Sequence, residues 1–166
     1  ALTDAQERRT NRLGRLLGPM GVRYVVVQEQ LAPTDTESEA PAGLVPVLDV
    51  LAQQLDLEAV PVADGLTVYQ NLAWVPSRAV LPAREGDRTS YLDAAGDDLS
   101  EAQPALIDPA GAVGADGEVP AEGDVAVAST ADEGWQLRVE GVPLARSETY
   151  GSVSYTHLTL PTICSV

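Results

Sequence analysis

The sequence predicts an α+β fold, in which a small α/β layer with the element order α-β-α-β-β precedes an incomplete β-hairpin or β-sandwich unit. Three observations predict this fold. Apolar residues recur at helical spacing in two early segments, an apolar β-type run follows each segment, and alternating β-type segments occupy the end of the chain. The 166 residues are enough for one ordinary domain with a real core.

The first helix is predicted from a capping-box start at Thr3 and from one apolar stripe. The stripe has the helical spacing i, i+3, i+4, i+7 and consists of Leu13, Leu16, Leu17 and Met20. Glycine and proline residues around position 19 end the helix. Residues 22–28 then read VRYVVVQ, a run typical of a central strand that is covered on both faces.

The next elements are a loop, a helix and a hairpin. Residues 31–42 are rich in Pro, Thr, Ser and Glu and predict a loop, whereas apolar spacing over residues 44–55 predicts a second amphipathic helix. Residues 57–63 and 66–70 flank Asp64-Gly65, which predicts a hairpin with a two-residue turn. Pro61 places the first of these strands at a sheet edge. A further short strand is expected within the segment 75–81.

Composition divides the chain into residues 1–81, 82–123 and 124–151. The middle segment is rich in Gly, Pro, Ala and acidic residues, and predicts a linker or long loops with a short strand or two. The last segment contains alternating β-type runs and a tight turn at Glu140-Gly141. Because this β unit is expected to be truncated, we expect Trp135 to be exposed or poorly packed.

Residues 153–166 read VSYTHLTLPTICSV and differ abruptly in composition from the rest of the chain. The string resembles the translation of a DNA-sequencing adapter, and it contains the chain's single His and single Cys. The alternative is a natural β-strand, which the Tyr, Thr and Leu residues would suit. We treat this tail as a non-native addition and exclude it from fold reasoning, and we expect the natural protein to extend beyond both ends of residues 1–151.

Several kinds of chemistry are excluded for residues 1–151. Without His or Cys, they cannot assemble a Ser-His-Asp triad, a Cys nucleophile or a His/Cys zinc site. The net charge of −15 makes nucleic-acid binding a poor candidate, and no Gly-rich phosphate loop indicates a nucleotide cofactor. The acidic positions from Asp93 to Glu101 do not fit the EF-hand pattern, so no metal ligands are predicted.

Trp74 is the side chain of greatest functional interest. Together with Pro76 and Arg78, it offers an aromatic surface for a sugar ring and a donor for its hydroxyl groups. The alternative is that Trp74 anchors the core, as a Trp at a strand start often does. Paired carboxylates can hydrolyse glycosides, but nothing in the sequence selects a pair.

Three segments carry a family resemblance. Residues 21–27 (GVRYVVV), residues 66–71 (LTVYQN) followed by Trp74, Pro76 and Arg78, and residues 134–141 (GWQLRVEG) resemble, in order, segments of YfhO-like bacterial membrane proteins. The chain departs from the family pattern at two positions: Gln70 replaces a usually acidic residue, and Glu140 replaces the usual Asp. The composition resembles that of actinobacterial members, in which such a region is often joined to a family-two glycosyltransferase domain.

This resemblance implies that the parent is a polytopic membrane glycosyltransferase and that these residues form its non-catalytic extracytoplasmic module. The module would contact the rest of its own membrane-embedded chain and position a glycan or a lipid-linked sugar in cell-envelope polysaccharide synthesis. Tyr69, Trp74 and Arg78 are the candidate glycan contacts, and no catalytic residue is carried over. The alternative is a structural or partner-binding domain of an exported envelope protein with no sugar-related role. A soluble cytosolic enzyme is the least favoured interpretation.

Overall fold

The chain adopts the predicted α+β class, with helices on a small antiparallel sheet followed by two larger antiparallel sheets. This computed structural model describes residues 1–29, 44–82, 90–110, 114–130, 133–158 and 162–165. The loop predicted at residues 31–42 lies outside the described residues.

The first predicted helix is divided into two short helices. Helix α1 spans Leu2–Gln6, helix α2 spans Leu13–Leu17, and a 3₁₀ turn at Gly18–Met20 follows α2. Arg8 lies between the helices with a φ of 57°, in the left-handed region where an α-helix cannot continue. Thr3 forms no capping box, because it already lies inside α1. The prediction of one continuous helix from a cap at Thr3 was therefore wrong.

The first sheet contains three strands in the order β1-β3-β2. Strand β1 spans Tyr24–Gln28, and after helix α3 (Leu44–Ala52) the hairpin follows as β2 (Leu57–Ala63) and β3 (Leu66–Asn71). Strand β3 pairs with both neighbours, so β1 lies at an edge of the sheet. Val26 on β1 is 58% exposed. The prediction of a doubly covered central strand at residues 22–28 was wrong, because the helices cover only one face of this sheet.

The hairpin prediction is confirmed. Gly65 has a φ of 74°, as a two-residue turn between β2 and β3 requires. Pro61 lies on β2, which is an edge strand, so its missing N–H interrupts no central ladder. The core of this first unit lies between the sheet and the helices, and its buried members are Ala5, Leu13, Val27, Leu51 and Tyr69.

The segment predicted to be a linker, or long loops with a short strand or two, is part of the second unit. It supplies three short strands, and Leu106 and Val119 are fully buried in the core. These strands are two to six residues long and interrupted by Pro or Gly, so they leave little periodicity in the sequence. The second unit consists of β4 (Arg78–Leu81), β5 (Gln103–Pro104), β6 (Asp108–Ala110), β7 (Gly114–Val119), β8 (Gly123–Thr130), β9 (Arg138–Val139), β10 (Val142–Pro143), β11 (Arg146–Thr149), β12 (Ser152–Leu158) and β13 (Thr162–Ser165).

These strands form two five-stranded antiparallel sheets, in the orders β10-β9-β13-β7-β6 and β11-β12-β8-β4-β5. Buried residues from both sheets share one hydrophobic cluster, which is the arrangement of a β-sandwich. The hairpin predicted around Glu140-Gly141 is present as β9 and β10. Trp135 is partly buried and packs against the shared cluster when residues 152–165 supply partner strands; its poor packing in a chain cut after Gly151 stays a prediction.

Strand β4 connects the two units and belongs to the second one by its pairing with β5 and β8. Val80 contributes to the core between the two sheets. On the opposite face of β4, Ala79 and Leu81 pack with Val75 and Tyr150 in a separate buried cluster. The sequence-based boundary at residue 81 therefore cuts through a sheet.

The tail takes part in the β-sandwich. Strand β12 pairs with β8 and β11, and β13 pairs with β7 and β9. The hydroxyl of Ser154 is buried between Ser147 and Thr149 on β11. Setting residues 153–166 apart from the fold was therefore wrong, because the described residues of this tail complete both sheets. Their origin as a translated adapter stays a prediction.

Candidate functional site

A cleft of about 350 Å³ lies between helix α2, the residues that follow β3 and the segment 94–100. Its walls combine apolar side chains with guanidinium and carboxylate groups. The lining residues are Arg12, Arg15, Leu55, Asp56, Leu72, Ala73, Trp74, Ala94, Asp97, Asp98, Leu99 and Ser100. An aromatic surface flanked by a few polar groups is typical of a small-molecule site.

Trp74 is the aromatic side chain of the cleft and is held in place from two sides. Its indole Nε1–H donates a hydrogen bond of 3.2 Å to the carbonyl of Gly21. The guanidinium carbon of Arg23 lies 4.9 Å from the ring centroid, in a cation–π contact. The side chain nevertheless remains 37% exposed. A fixed and partly exposed indole is available for stacking on a ligand.

The wall formed by α2 is positioned by two side chains from the α3–β2 connection. The buried carboxylate of Asp56 accepts hydrogen bonds from the backbone N–H groups of Gly14 (2.9 Å) and Arg15 (2.7 Å). Gln54 Oε1 accepts a bond of 3.0 Å from the N–H of Leu13. Together they satisfy the first N–H groups of α2, which have no partner within the helix.

Asn71 joins α2, the start of β1 and the cleft. Its buried amide donates to the carbonyls of Gly14 and Val22, both at 2.9 Å, and its Oδ1 accepts from the N–H of Ala73 at 2.9 Å. A Cβ atom at Gly14 would lie 2.5 Å from Asn71 Oδ1, so only glycine fits there. This packing fixes the backbone immediately before Trp74.

The opposite wall is formed by the residues at the end of, and after, a 3₁₀ turn at Tyr91–Ala95. Ser90 and Asp93 form a capping box at the start of this turn. Asp98 Oδ1 accepts a hydrogen bond of 3.0 Å from the N–H of Ser100. Hydrogen bonds from the side chain and backbone of Ser100 lower the pKa of Asp98, and the charge of Arg15 lowers it further.

Asp97 connects this wall to the second unit. The buried phenol of Tyr150 donates a short hydrogen bond to its carboxylate. Tyr150 also packs with Leu81 and Ala94 in the cluster beneath the segment. The cleft is therefore built from both units of the chain.

The structure brings only one of the three predicted glycan contacts to the cleft. Tyr69 is buried in the core of the first unit, where its hydroxyl lies 3.5 Å from the carbonyl of Leu48 and burial raises its pKa. Arg78 is half-buried on β4, where its carbonyl accepts from the N–H of Ala105. Neither residue lines the cleft that contains Trp74.

Other residues of the cleft could not be selected from the sequence. Asp97 and Asp98 belong to an acidic stretch whose spacing was compared only with that of a calcium-binding loop. The sequence around Arg12 and Arg15 is equally compatible with a solvent-exposed helix face. The one available signal was Asn71, which ends the family-like segment 66–71 and proves to be a buried structural amide.

Neither a metal site nor a membrane span is present in the part of the chain that the structure describes. Within those residues, no group of three or more His, Cys, Asp or Glu side chains is placed to hold an ion. No helix among them has the length and apolar character to cross a bilayer. The chain matches no protein-family model, no curated protein and no solved structure.

Proposed function

We propose that this chain is the non-catalytic extracytoplasmic module of a membrane glycosyltransferase-like protein of the cell envelope. In this role it holds a glycan or a lipid-linked sugar in the cleft beside Trp74, next to the membrane-embedded remainder of its own chain. The family resemblance of three segments motivates the proposal. Its main structural support is a fixed, partly exposed indole in a cleft that also contains guanidinium and carboxylate groups.

The chemistry of the cleft suits sugar recognition. The C–H face of a sugar ring is apolar and stacks on an indole, while its hydroxyl groups both donate and accept hydrogen bonds. Arg12 and Arg15 supply donors, and Asp98 supplies acceptor oxygens. The indole is held by Gly21 and Arg23 before any ligand arrives, which lowers the entropic cost of binding.

Isothermal titration calorimetry with neutral oligosaccharides of three to six glucose, mannose, galactose or arabinose units tests the proposal. We expect one of these series to bind, and Trp74→Ala to weaken its binding at least tenfold. Val142→Ala truncates an exposed apolar side chain outside the cleft and serves as the control. Binding that survives Trp74→Ala, or no heat with any series while the chain is folded, would refute the proposal.

A second candidate function is a structural or partner-binding domain without a sugar-related role. Two residues of the family-like segment, Tyr69 and Asn71, serve the fold of the first unit. In addition, the helix-free side of its sheet exposes Tyr24 and Val26. Exposed apolar residues on one surface are typical of a contact with another protein. A folded chain that binds no oligosaccharide would favour this second function.

A further inference from the structure

The charges around the cleft bear on which sugars it can accept. Two guanidinium groups, Arg12 and Arg15, line the cleft together with three carboxylates, Asp56, Asp97 and Asp98. With Arg23, which stacks on Trp74, the positive and negative groups are equal in number, so the cleft has no excess positive charge to attract an anion. The chain as a whole has a net charge of −15, so the long-range field repels anions.

Part of the donor set of the cleft is already engaged by carboxylates. Anion sites usually direct several guanidinium or backbone N–H groups at one point. Here the N–H groups at the start of α2 are occupied by Asp56, and the charge of Arg15 already interacts with Asp98. An added anion would have to compete with these carboxylates for the same donors.

One carboxylate of the cleft, that of Asp98, in contrast favours its charged form. Asp98 keeps a lowered pKa through its hydrogen bonds with Ser100 and through Arg15. A charged carboxylate accepts hydrogen bonds and donates none, so it suits a ligand that brings its own O–H groups. Sugar hydroxyls meet this requirement, whereas phosphate and carboxylate oxygens do not.

We infer that the cleft beside Trp74 binds an uncharged sugar unit and excludes anionic sugars, both uronates and sugar phosphates. The inference rests on the proposed function and specifies its ligand. The volume of about 350 Å³ lies near the lower limit of small-molecule sites, which favours a ligand of one or two sugar rings. If the parent handles a lipid-linked sugar, its phosphates therefore lie outside this cleft.

The test compares ligands that differ in charge but not in ring type. Calorimetric titrations use galactobiose against digalacturonate, and glucose, mannose and arabinose each against its own sugar phosphate, at low ionic strength. We expect each neutral ligand to bind at least tenfold more tightly than its anionic counterpart. Equal or tighter binding of an anionic ligand would overturn this inference and leave the proposed function intact. Binding of neither member of any pair would overturn both.

A charge variant separates electrostatic exclusion from simple misfit. Asp98→Asn removes one negative charge from the cleft with little change of shape, and we expect it to reduce the preference for the neutral ligand at least threefold. Asp49→Asn makes the same change at an exposed position on α3, outside the cleft, and should leave the preference unchanged. An unchanged preference in Asp98→Asn would contradict an electrostatic origin.

Discussion

Replacing Asn71 with Ala should strongly destabilise the first unit. The amide of Asn71 is buried and makes three hydrogen bonds of 2.9 Å, to Gly14, Val22 and Ala73. Each buried hydrogen bond contributes about 1 kcal/mol net, and a partner left unsatisfied costs about 1–3 kcal/mol. We therefore expect a loss of about 3–4 kcal/mol in the free energy of unfolding, from a total that is typically about 5–15 kcal/mol.

Urea unfolding followed by far-UV circular dichroism measures this loss. With a slope of about 2 kcal/mol per molar urea, the midpoint should fall by about 1.5–2 M. Asn11→Ala is the matched control, because Asn11 is exposed and only its backbone carbonyl is used, by Leu55. Its midpoint should stay within the range of ordinary surface substitutions, about 0.5 kcal/mol. Equal midpoints for Asn71→Ala and Asn11→Ala would refute the structural role assigned to Asn71.

Three further predictions follow from the burial and pairing of individual residues. Tyr69→Phe should lower the free energy of unfolding by less than about 1 kcal/mol, because the hydroxyl contact with Leu48 is long. Tyr69→Ala should lower it by about 3–5 kcal/mol, because the ring is part of the core. Equal losses for the two variants in urea unfolding would contradict this core role. The lowered pKa of Asp98 should stabilise the fold at pH values above the ordinary pKa of an Asp carboxyl, and this stability should be lost as the pH falls through the lowered pKa. In a carboxyl NMR titration, Ser100→Ala should raise the pKa of Asp98, and an unchanged pKa would disprove that Ser100 lowers it. Deleting residues 153–166 should open both sheets of the second unit and increase binding of a hydrophobic dye; if the dye signal and hydrogen exchange of β8 do not change, these strands do not contribute to the fold.

Local sequence patterns predicted the elements whose cause is local. The hairpin of β2 and β3 depends on a two-residue turn at Asp64-Gly65, and Gly65 adopts the required positive φ. Helix α3 and strand β8 likewise follow from apolar periodicity and β-propensity within their own segments. In these cases the residues that determine the structure are near neighbours in the chain.

Other features depend on residues far apart in sequence and could not be predicted. The start of α2 is capped by Gln54 and Asp56, which lie 41 and 42 residues from the N–H groups of Leu13 and Gly14 that they bind. The edge position of β1 depends on its pairing with β3, and the exposure of one face of β1 depends on where the helices pack; the run VVV at residues 25–27 is compatible with either outcome. The strands of residues 82–123 are too short to show a period.

The candidate site was predictable only in part for the same reason. Trp74 stood out by its residue type and lies in the cleft, but the two other candidates were chosen by sequence proximity. Tyr69 and Trp74 are five residues apart, yet the strand that ends at Asn71 buries the Tyr while the following turn exposes the Trp. Only the packing of α2 and segment 94–100 against this turn creates the cleft.

The most direct test of sugar binding beside Trp74 is the indole N–H spectrum of the ¹⁵N-labelled chain. Its two Trp side chains give one signal each, and Trp135 in the second unit serves as an internal control. On titration with the neutral oligosaccharide that binds in calorimetry, the Trp74 signal should shift in a saturable way while the Trp135 signal stays in place. If Trp74 does not move at saturating ligand, or if both signals move together, the cleft is not the sugar site.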